Sequence, residues 1–297
     1  MKPLIVILGP TASGKTDLSL KIAKLLNSEI ISVDSRQIYK EMNIATDALP
    51  KSKQKGITHH LLNITKPDKP LTLAEFKQKA LKIISKLHKQ NKVPILVGGT
   101  GLYISAIVED YDIPKVPPNP KLRAKLEKHT TKYLYAKLKK LDPESANSIH
   151  PNNKRYLIRA IEKSDVGGYH VKNKTCQFDP LLIGIKTPRE TLYSQVNARV
   201  DHQLKNGLIK EVKKLLTKYD LNLPAMSSLG VKEIIPYLNK QQTLPEATEI
   251  LKRNTRRYAK RQMTWFRRYD SVHWLTPQEI KDNEWRKLLK HLKISKT

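Results

Sequence analysis

Cysteine is almost absent. The one thiol in 297 residues, Cys176, excludes an internal disulfide and a thiolate metal cluster, and such usage implies a reducing cytoplasm. Long apolar runs are missing too: none approaches the roughly twenty residues that a helix needs to cross a bilayer. No charged, apolar and small-residue leader precedes the first apolar run, so a cytoplasmic protein without membrane partners is expected. Acidic residues are scarce, with 27 Asp and Glu against 56 Lys and Arg and a formal charge of +29. That excess favours a polyanionic partner, with nucleic acid the leading candidate, although scattered lysines such as Lys51, Lys53 and Lys55 fit a solvated face equally well. At 39% hydrophobic residues the chain can still bury a core, and its length suits one large or two ordinary domains.

What is present begins at the first strand. Leu4-Ile5-Val6-Ile7-Leu8 reads as a buried strand and runs into Gly9-Pro10-Thr11-Ala12-Ser13-Gly14-Lys15-Thr16, after which Leu18, Ile22, Leu25 and Leu26 recur at helical spacing. The G-x-x-x-x-G-K-[ST] pattern therefore lies between a strand and a helix, the context a phosphate-binding loop requires. Gly9 and Gly14 let backbone N–H groups from Thr11, Ala12 and Ser13 turn inward, Lys15 brings positive charge, and the Thr16 hydroxyl can hold Mg²⁺. The ligand expected is a polyphosphate. Whether its phosphate is transferred or simply leaves stays open at this point.

Strand and helix patterns then alternate. Glu29-Ile30-Ile31-Ser32-Val33 reads as a second strand ending at Asp34, and Val93-Pro94-Ile95-Leu96-Val97 as a third ending at Gly98-Gly99-Thr100-Gly101. Between them Thr72 and Glu75 form a capping box ahead of Phe76, Ala80, Ile83, Ile84 and Leu87. Four prolines (Pro114, Pro117, Pro118 and Pro120) mark a boundary, after which 122–162 is helical and basic, and 163–178 is polar with Gly167-Gly168. Leu181-Leu182-Ile183-Gly184-Ile185 returns the chain to the sheet, and one helical run is expected from Val200 to Tyr219. The class predicted is α/β: a P-loop parallel sheet flanked by helices, with an inserted helical subdomain and a helical C-terminal part. Its divisions fall at 1–112, 113–178 and 179–297.

Parallel strands put ligand loops at their carboxyl ends, which gathers the loop 9–16, Asp34 and Thr100 on one edge. Asp34 suits three roles there: a carboxylate supporting Mg²⁺, a general base, or the cap of the following turn. Its neighbours Ser35, Arg36, Gln37 and Tyr39 are polar company for a simple metal ligand, and a Gln can read a base edge. His59-His60 lacks a carboxylate at useful spacing, so packing or a local hydrogen bond is expected rather than a metal. Further on, Lys252, Arg253, Arg256, Arg257, Lys260, Arg261, Arg267 and Arg268 form a cationic ridge, with Ala247, Leu251, Tyr258 and Trp265 as the packing stripe of the same helix.

These segments, with His59-His60-Leu61, Ile149-His150-Pro151-Asn152-Asn153, Arg159-Ala160-Ile161-Glu162, Asn197-Ala198-Arg199-Val200-Asp201 and Tyr258-Ala259-Lys260-Arg261-Gln262, together resemble the tRNA dimethylallyltransferase family in order and over nearly the whole chain. The resemblance implies transfer of a dimethylallyl group from dimethylallyl diphosphate to N6 of the adenosine 3′ of the anticodon, in tRNAs reading U-initial codons. It implies Asp34 as base, Thr100 and Arg199 around the diphosphate, Mg²⁺ at Thr16, and a monomer that grips the anticodon stem-loop. The tRNA contacts implied are Asp34, Ser35, Arg36, Gln37, Thr100, Arg123, Arg155, Tyr156, Arg159, Lys232, Arg256, Lys260 and Arg261. Tyr156, Asn63 and Val231 depart from residues usual in the family, and 163–176 lacks its Thr-Gly-Lys-Pro loop. A small-molecule kinase shares the loop and sheet but has no use for the ridge, and an ATP-driven nucleic-acid binder would need a second acidic strand end that the sequence lacks.

Overall fold

The apolar residues 4–8 show no polar alternation because both faces of their strand are covered. Leu4, Val6 and Leu8 enter one core, Ile5 and Ile7 the other. The computed structural model describes residues 1–111, 113, 119–165, 177–290 and 292. Among them, β1 (Lys2–Leu8), β2 (Ile30–Ser32), β3 (His59–His60), β4 (Ile95–Gly98), β5 (Phe178–Ile185) and β6 (His273–Leu275) form one sheet in the order β3-β2-β4-β1-β5-β6. Every pairing is parallel. The α/β class with a parallel sheet is therefore the observed one.

Helices α1 (Lys15–Leu25), α2 (Leu73–Lys89) and α3 (Gly101–Val108) belong to this sheet, and both halves of the Thr72/Glu75 capping box form at the start of α2. The chain divides into two compact units, Met1–Asp110 with Thr175–Thr297, and Tyr111–Lys174. Within the second, α4 (Pro120–Glu127), α5 (Thr131–Leu141), α6 (Pro143–Ser148) and α7 (Lys154–Ser164) close around Leu126, Leu134, Leu138, Leu157 and Ile161. In the first unit, α8 (Arg189–Lys205), α9 (Leu208–Leu216), the short α10 (Ile235–Leu238) and α11 (Leu244–Phe266) surround a third core. After β6, α12 (Pro277–Lys281) and α13 (Trp285–Leu289) follow, and α13 seals one sheet face with the fully buried Trp285.

Four features differ from the sequence reading. β3 and β6 are edge strands of two and three residues, too short for any periodicity to register. The run 200–219 is two helices, because Gly207 takes φ 97° and starts a new helix there. The fully buried face of α11 is Ala247, Leu251, Thr255, Ala259, Gln262 and Phe266, which includes two of the four residues read as its packing stripe; of the others, Trp265 packs half-buried against the sheet core and Tyr258 is half-buried beside that face. His59 and His60 occupy β3: His59 Nδ1 makes the local hydrogen bond expected, to Ile57 O at 2.9 Å, while His60 Nε2 meets the distant Glu29 Oε2, just before β2, at 2.7 Å. Cys176, Gly167-Gly168 and Pro114, Pro117 and Pro118 lie outside the described residues.

Candidate active site

The loop between β1 and α1 is bent by local chemistry. Gly9 has φ 150°, and a Cβ there would lie 3.1 Å from Ser13 Oγ and 3.3 Å from Ile185 O. Gly14 sits in the left-handed region at φ 90° and starts α1 with no side-chain cap, so the first N–H groups of the helix are directed at whatever occupies the loop. Ser13 Oγ is buried without a partner in the same loop. Lys15 Nζ donates to Pro10 O at 2.6 Å. Burial first, and then the charge of Arg199, push its ammonium down to about 7, against an opposing pull from Asp34. Those electrostatic couplings bring Lys15, Asp34 and Arg199 into one neighbourhood. Thr11 is turned the other way: its N–H donates to Gln262 Oε1 at 2.8 Å rather than into the loop.

Asp34 follows β2. Its Oδ1 accepts the N–H groups of Arg36 at 2.8 Å and Gln37 at 3.3 Å, so it does cap the turn, while no hydrogen bond from the described residues reaches Oδ2. Ser35 N–H donates to Thr100 Oγ1 at 2.9 Å, joining the ends of β2 and β4. Burial, foremost, and the charge of Asp34 push the Tyr258 phenol far above its ordinary value, with the neighbouring Thr100 side chain pulling the other way. Gln37 and Arg36 are committed to the protein itself. Gln37 Nε2 donates to Thr46 O and Asp47 O at 3.2 and 3.1 Å, and Arg36 reaches Pro224 O and Ser227 Oγ. In this structure the amide donor of Gln37 is thus spent on backbone carbonyls, and its Oε1 accepts from Ser32 Oγ at 3.3 Å. Arg199, on α8, pairs with Asp47 Oδ2 at 3.2 Å and with Thr46 O at 3.4 Å.

The Gly98–Gly101 turn owes its glycines to close approach. A Cβ on Gly98 would fall 2.3 Å from Val33 O, on Gly99 2.0 Å from Gln262 Nε2, and on Gly101 2.2 Å from Trp265 Cδ1. The last two contacts come from α11, whose opposite face carries exposed Arg253, Arg257, Lys260, Arg261 and Arg267. Arg256 is held in the protein, donating to Asn197 Oδ1 at 2.6 Å and lying over the Tyr193 ring, and Lys252 pairs with Asp201 at 2.8 Å. Lys232 lies 3.7 Å from the buried carboxylate of Glu233. In the helical unit, Arg155 and Tyr156 are exposed, whereas Arg123 and Arg159 both bind Glu162, a residue only 2% exposed. Burial alone would raise that carboxylate. Hydrogen bonds from Arg123, the Asn119 N–H and Arg159 outweigh it and hold the group down to about 2.

Glu162, Tyr258 and Gln262 escaped sequence reasoning as individual functional residues. The one available signal was phase: Gln262 and Glu162 are polar residues in step with buried positions on their helices, which requires internal partners. As for Mg²⁺, the exposed Thr16 hydroxyl stands on the first turn of α1, and among the described residues no cluster of three His, Cys, Asp or Glu forms a protein-only cage. That donor set fits a Mg²⁺ that keeps its waters and shares phosphate oxygens.

The chain is a group transferase, and its parallel sheet gathers a glycine-bent loop, a carboxylate and a hydroxyl at its carboxyl edge. The chain belongs to the IPP transferase family, whose profile matches residues 37–269. It is 47% identical to the tRNA dimethylallyltransferase of Alkaliphilus oremlandii over 92% of this chain and 91% of the relative. It is likewise 47% identical to that of Halothermothrix orenii over 98% and 91%. Among solved structures, the tRNA isopentenylpyrophosphate transferase of Bacillus halodurans is similar at TM-score 0.74 and 37% identity, with 98% of each chain covered. A eukaryotic dimethylallyltransferase acting on tRNA reaches TM-score 0.82 at 28% identity, over 97% of this chain and 78% of the other. No helix among the described residues is long and apolar enough to cross a membrane.

Proposed function

We propose that the chain transfers a dimethylallyl group from dimethylallyl diphosphate to N6 of the adenosine immediately 3′ of the anticodon, in tRNAs reading U-initial codons. The observation that carries this reading is the gathering of the glycine-bent loop with Lys15, the Asp34 carboxylate and the Thr100 hydroxyl at the ends of neighbouring parallel strands, tied by Ser35 N–H to Thr100 Oγ1 at 2.9 Å, with Arg199 near enough to Lys15 to act on its charge. As the allylic C–O bond breaks, its electron pair leaves with the diphosphate, and Lys15, Arg199 and the N–H groups opening α1 stabilise the departing charge. N6 bonds to the freed allylic carbon, and its proton passes to Asp34 Oδ2, the oxygen that the turn does not use. Thr100, held by the Ser35 N–H, orients the reacting ends. Mg²⁺, held by Thr16, supplies charge neutralisation to the diphosphate oxygens when bound. The target base has to leave its stack to reach this edge. The stem-loop is gripped by the helical subdomain 113–178 through the exposed Arg155 and Tyr156 and through Arg123 and Arg159, which keep 41% and 34% of their side chains exposed while pairing with Glu162, and by the exposed face of α11, and the protein acts as a cytoplasmic monomer.

The deciding assay combines the protein, labelled dimethylallyl diphosphate, Mg²⁺ and unmodified tRNA with adenosine beside the anticodon. Label should appear in the tRNA at that base. ATP hydrolysis without label transfer would overturn the reading. On α11 the informative truncation is Arg257, because Arg256 already has protein partners. Arg257→Ala is expected to weaken tRNA binding several-fold and lower the slope of log K against log salt by about 1. A titration at several salt concentrations checks this, and an unchanged slope removes Arg257 from the phosphate contacts.

A further inference from the structure

Gln262 lies on the packing face of α11 and is 5% exposed. Both ends of its amide are used: Oε1 accepts the Thr11 N–H at 2.8 Å, and Nε2 donates to Gly99 O at 2.9 Å. Each partner belongs to a planar peptide unit whose other end faces the chemistry. The Pro10–Thr11 peptide carries Pro10 O, which accepts Lys15 Nζ at 2.6 Å. The Gly99–Thr100 peptide carries the Thr100 N–H, which donates to Val33 O at 3.2 Å, next to Asp34. One side chain therefore sets the tilt of two peptide planes, one beside the lysine and one beside the hydroxyl and carboxylate. Gly99 is part of the same device, since any Cβ there would collide with the Gln262 amide at 2.0 Å.

We propose that Gln262 is a positioning residue for the transfer step, clamping the phosphate loop to the 98–101 turn from the helix that bears the cationic ridge. The inference rests on the prenyl-transfer reading. A role confined to packing would be met by any side chain of equal volume, whereas the clamp needs one donor and one acceptor at the same end of the side chain. Glutamate presents two acceptors when ionised and would repel Gly99 O, yet when protonated it regains the donor. Methionine keeps the length and makes neither bond.

The experiment compares wild type, Gln262→Glu and Gln262→Met. The measurements are kcat and KM for dimethylallyl diphosphate across pH 5.5 to 8.5, tRNA affinity by filter binding, and inorganic pyrophosphate affinity by calorimetry without tRNA. At pH 8 both variants should lose about 10- to 100-fold in kcat/KM for dimethylallyl diphosphate, with tRNA affinity retained within about twofold. Pyrophosphate affinity should fall in both. The activity of Gln262→Glu relative to wild type should climb as pH drops, while that of Gln262→Met stays flat. If Gln262→Glu does not fold, Gln262→Met decides by its turnover and pyrophosphate affinity. Near-wild-type turnover at pH 8 in either variant, or a flat pH ratio in folded Gln262→Glu, overturns the clamp. A loss explained wholly by weaker tRNA binding overturns it too. Wild type that binds pyrophosphate yet transfers no label would instead sink the prenyl-transfer reading, and the pyrophosphate results would still judge the clamp.

Discussion

Asp34→Asn is expected to lower kcat by about 10²- to 10⁴-fold while leaving tRNA affinity within about twofold of wild type. Asparagine keeps an oxygen where Oδ1 accepts the Arg36 and Gln37 N–H groups, so the turn after β2 survives. What it lacks is the basic oxygen that takes a proton from N6. The contrast with Asp34→Ala separates two roles of one side chain, because alanine removes the cap as well and should add a loss of stability of about 1 kcal/mol. Single-turnover assays with saturating substrates, alongside filter binding, read the difference. Normal single-turnover rates in Asp34→Asn would remove Asp34 from proton transfer and leave it only the turn.

Lys15→Met should reduce kcat/KM by about 10²- to 10³-fold, in line with loss of one preorganised partner of the developing charge. A pH signature accompanies it. With its pKa near 7 in the free protein, Lys15 is mostly neutral at pH 8, and an arriving diphosphate favours the ammonium, so binding takes up a proton. Calorimetry in buffers of different ionisation enthalpy should register uptake approaching one proton at pH 8 in wild type and none in Lys15→Met. The stability effect has the opposite sign from that of a paired lysine. Because the folded value lies below the unfolded 10.5, charging Lys15 destabilises the fold fully below about pH 7, and the penalty fades as pH rises towards 10.5. Lys15→Met should thus raise the melting temperature at pH 6 and lose that advantage near pH 10, while staying inactive throughout. An unchanged melting temperature at pH 6 would show that Lys15 is not strained by burial.

Much of the fold was legible because burial leaves a local trace. The buried strands β1, β2, β4 and β5, helix α1 and the capping box of α2 follow from runs and spacings within about twenty residues. β3 and β6 left no such trace, being edges that exist only through their pairing with β2 and β5. The phase of α11 was legible only in part. Hydrophobicity marked Ala247, Leu251 and Trp265 as packing residues, but the helix also buries Thr255 and Gln262, whose polar groups find partners inside: Leu251 O for one, Thr11 and Gly99 for the other. In the helical unit, Arg123 and Arg159 read as two cations in a basic stretch, and only Glu162 beneath them makes them a buried ion-pair centre.

By itself the sequence determined the parallel α/β class, the glycine-bent anion loop opening α1, and the placing of Asp34 and Thr100 at the ends of strands. Each follows from a pattern closed within a few turns of chain. Tertiary structure decided which oxygen of Asp34 is spare, that burial and Arg199 lower the Lys15 pKa, that Gln37 is already engaged, and that Gln262 ties two loops together. Those properties depend on distances and dielectric created when α8 and α11 dock on the sheet edge, bringing together residues as far apart in the chain as Thr11 and Gln262.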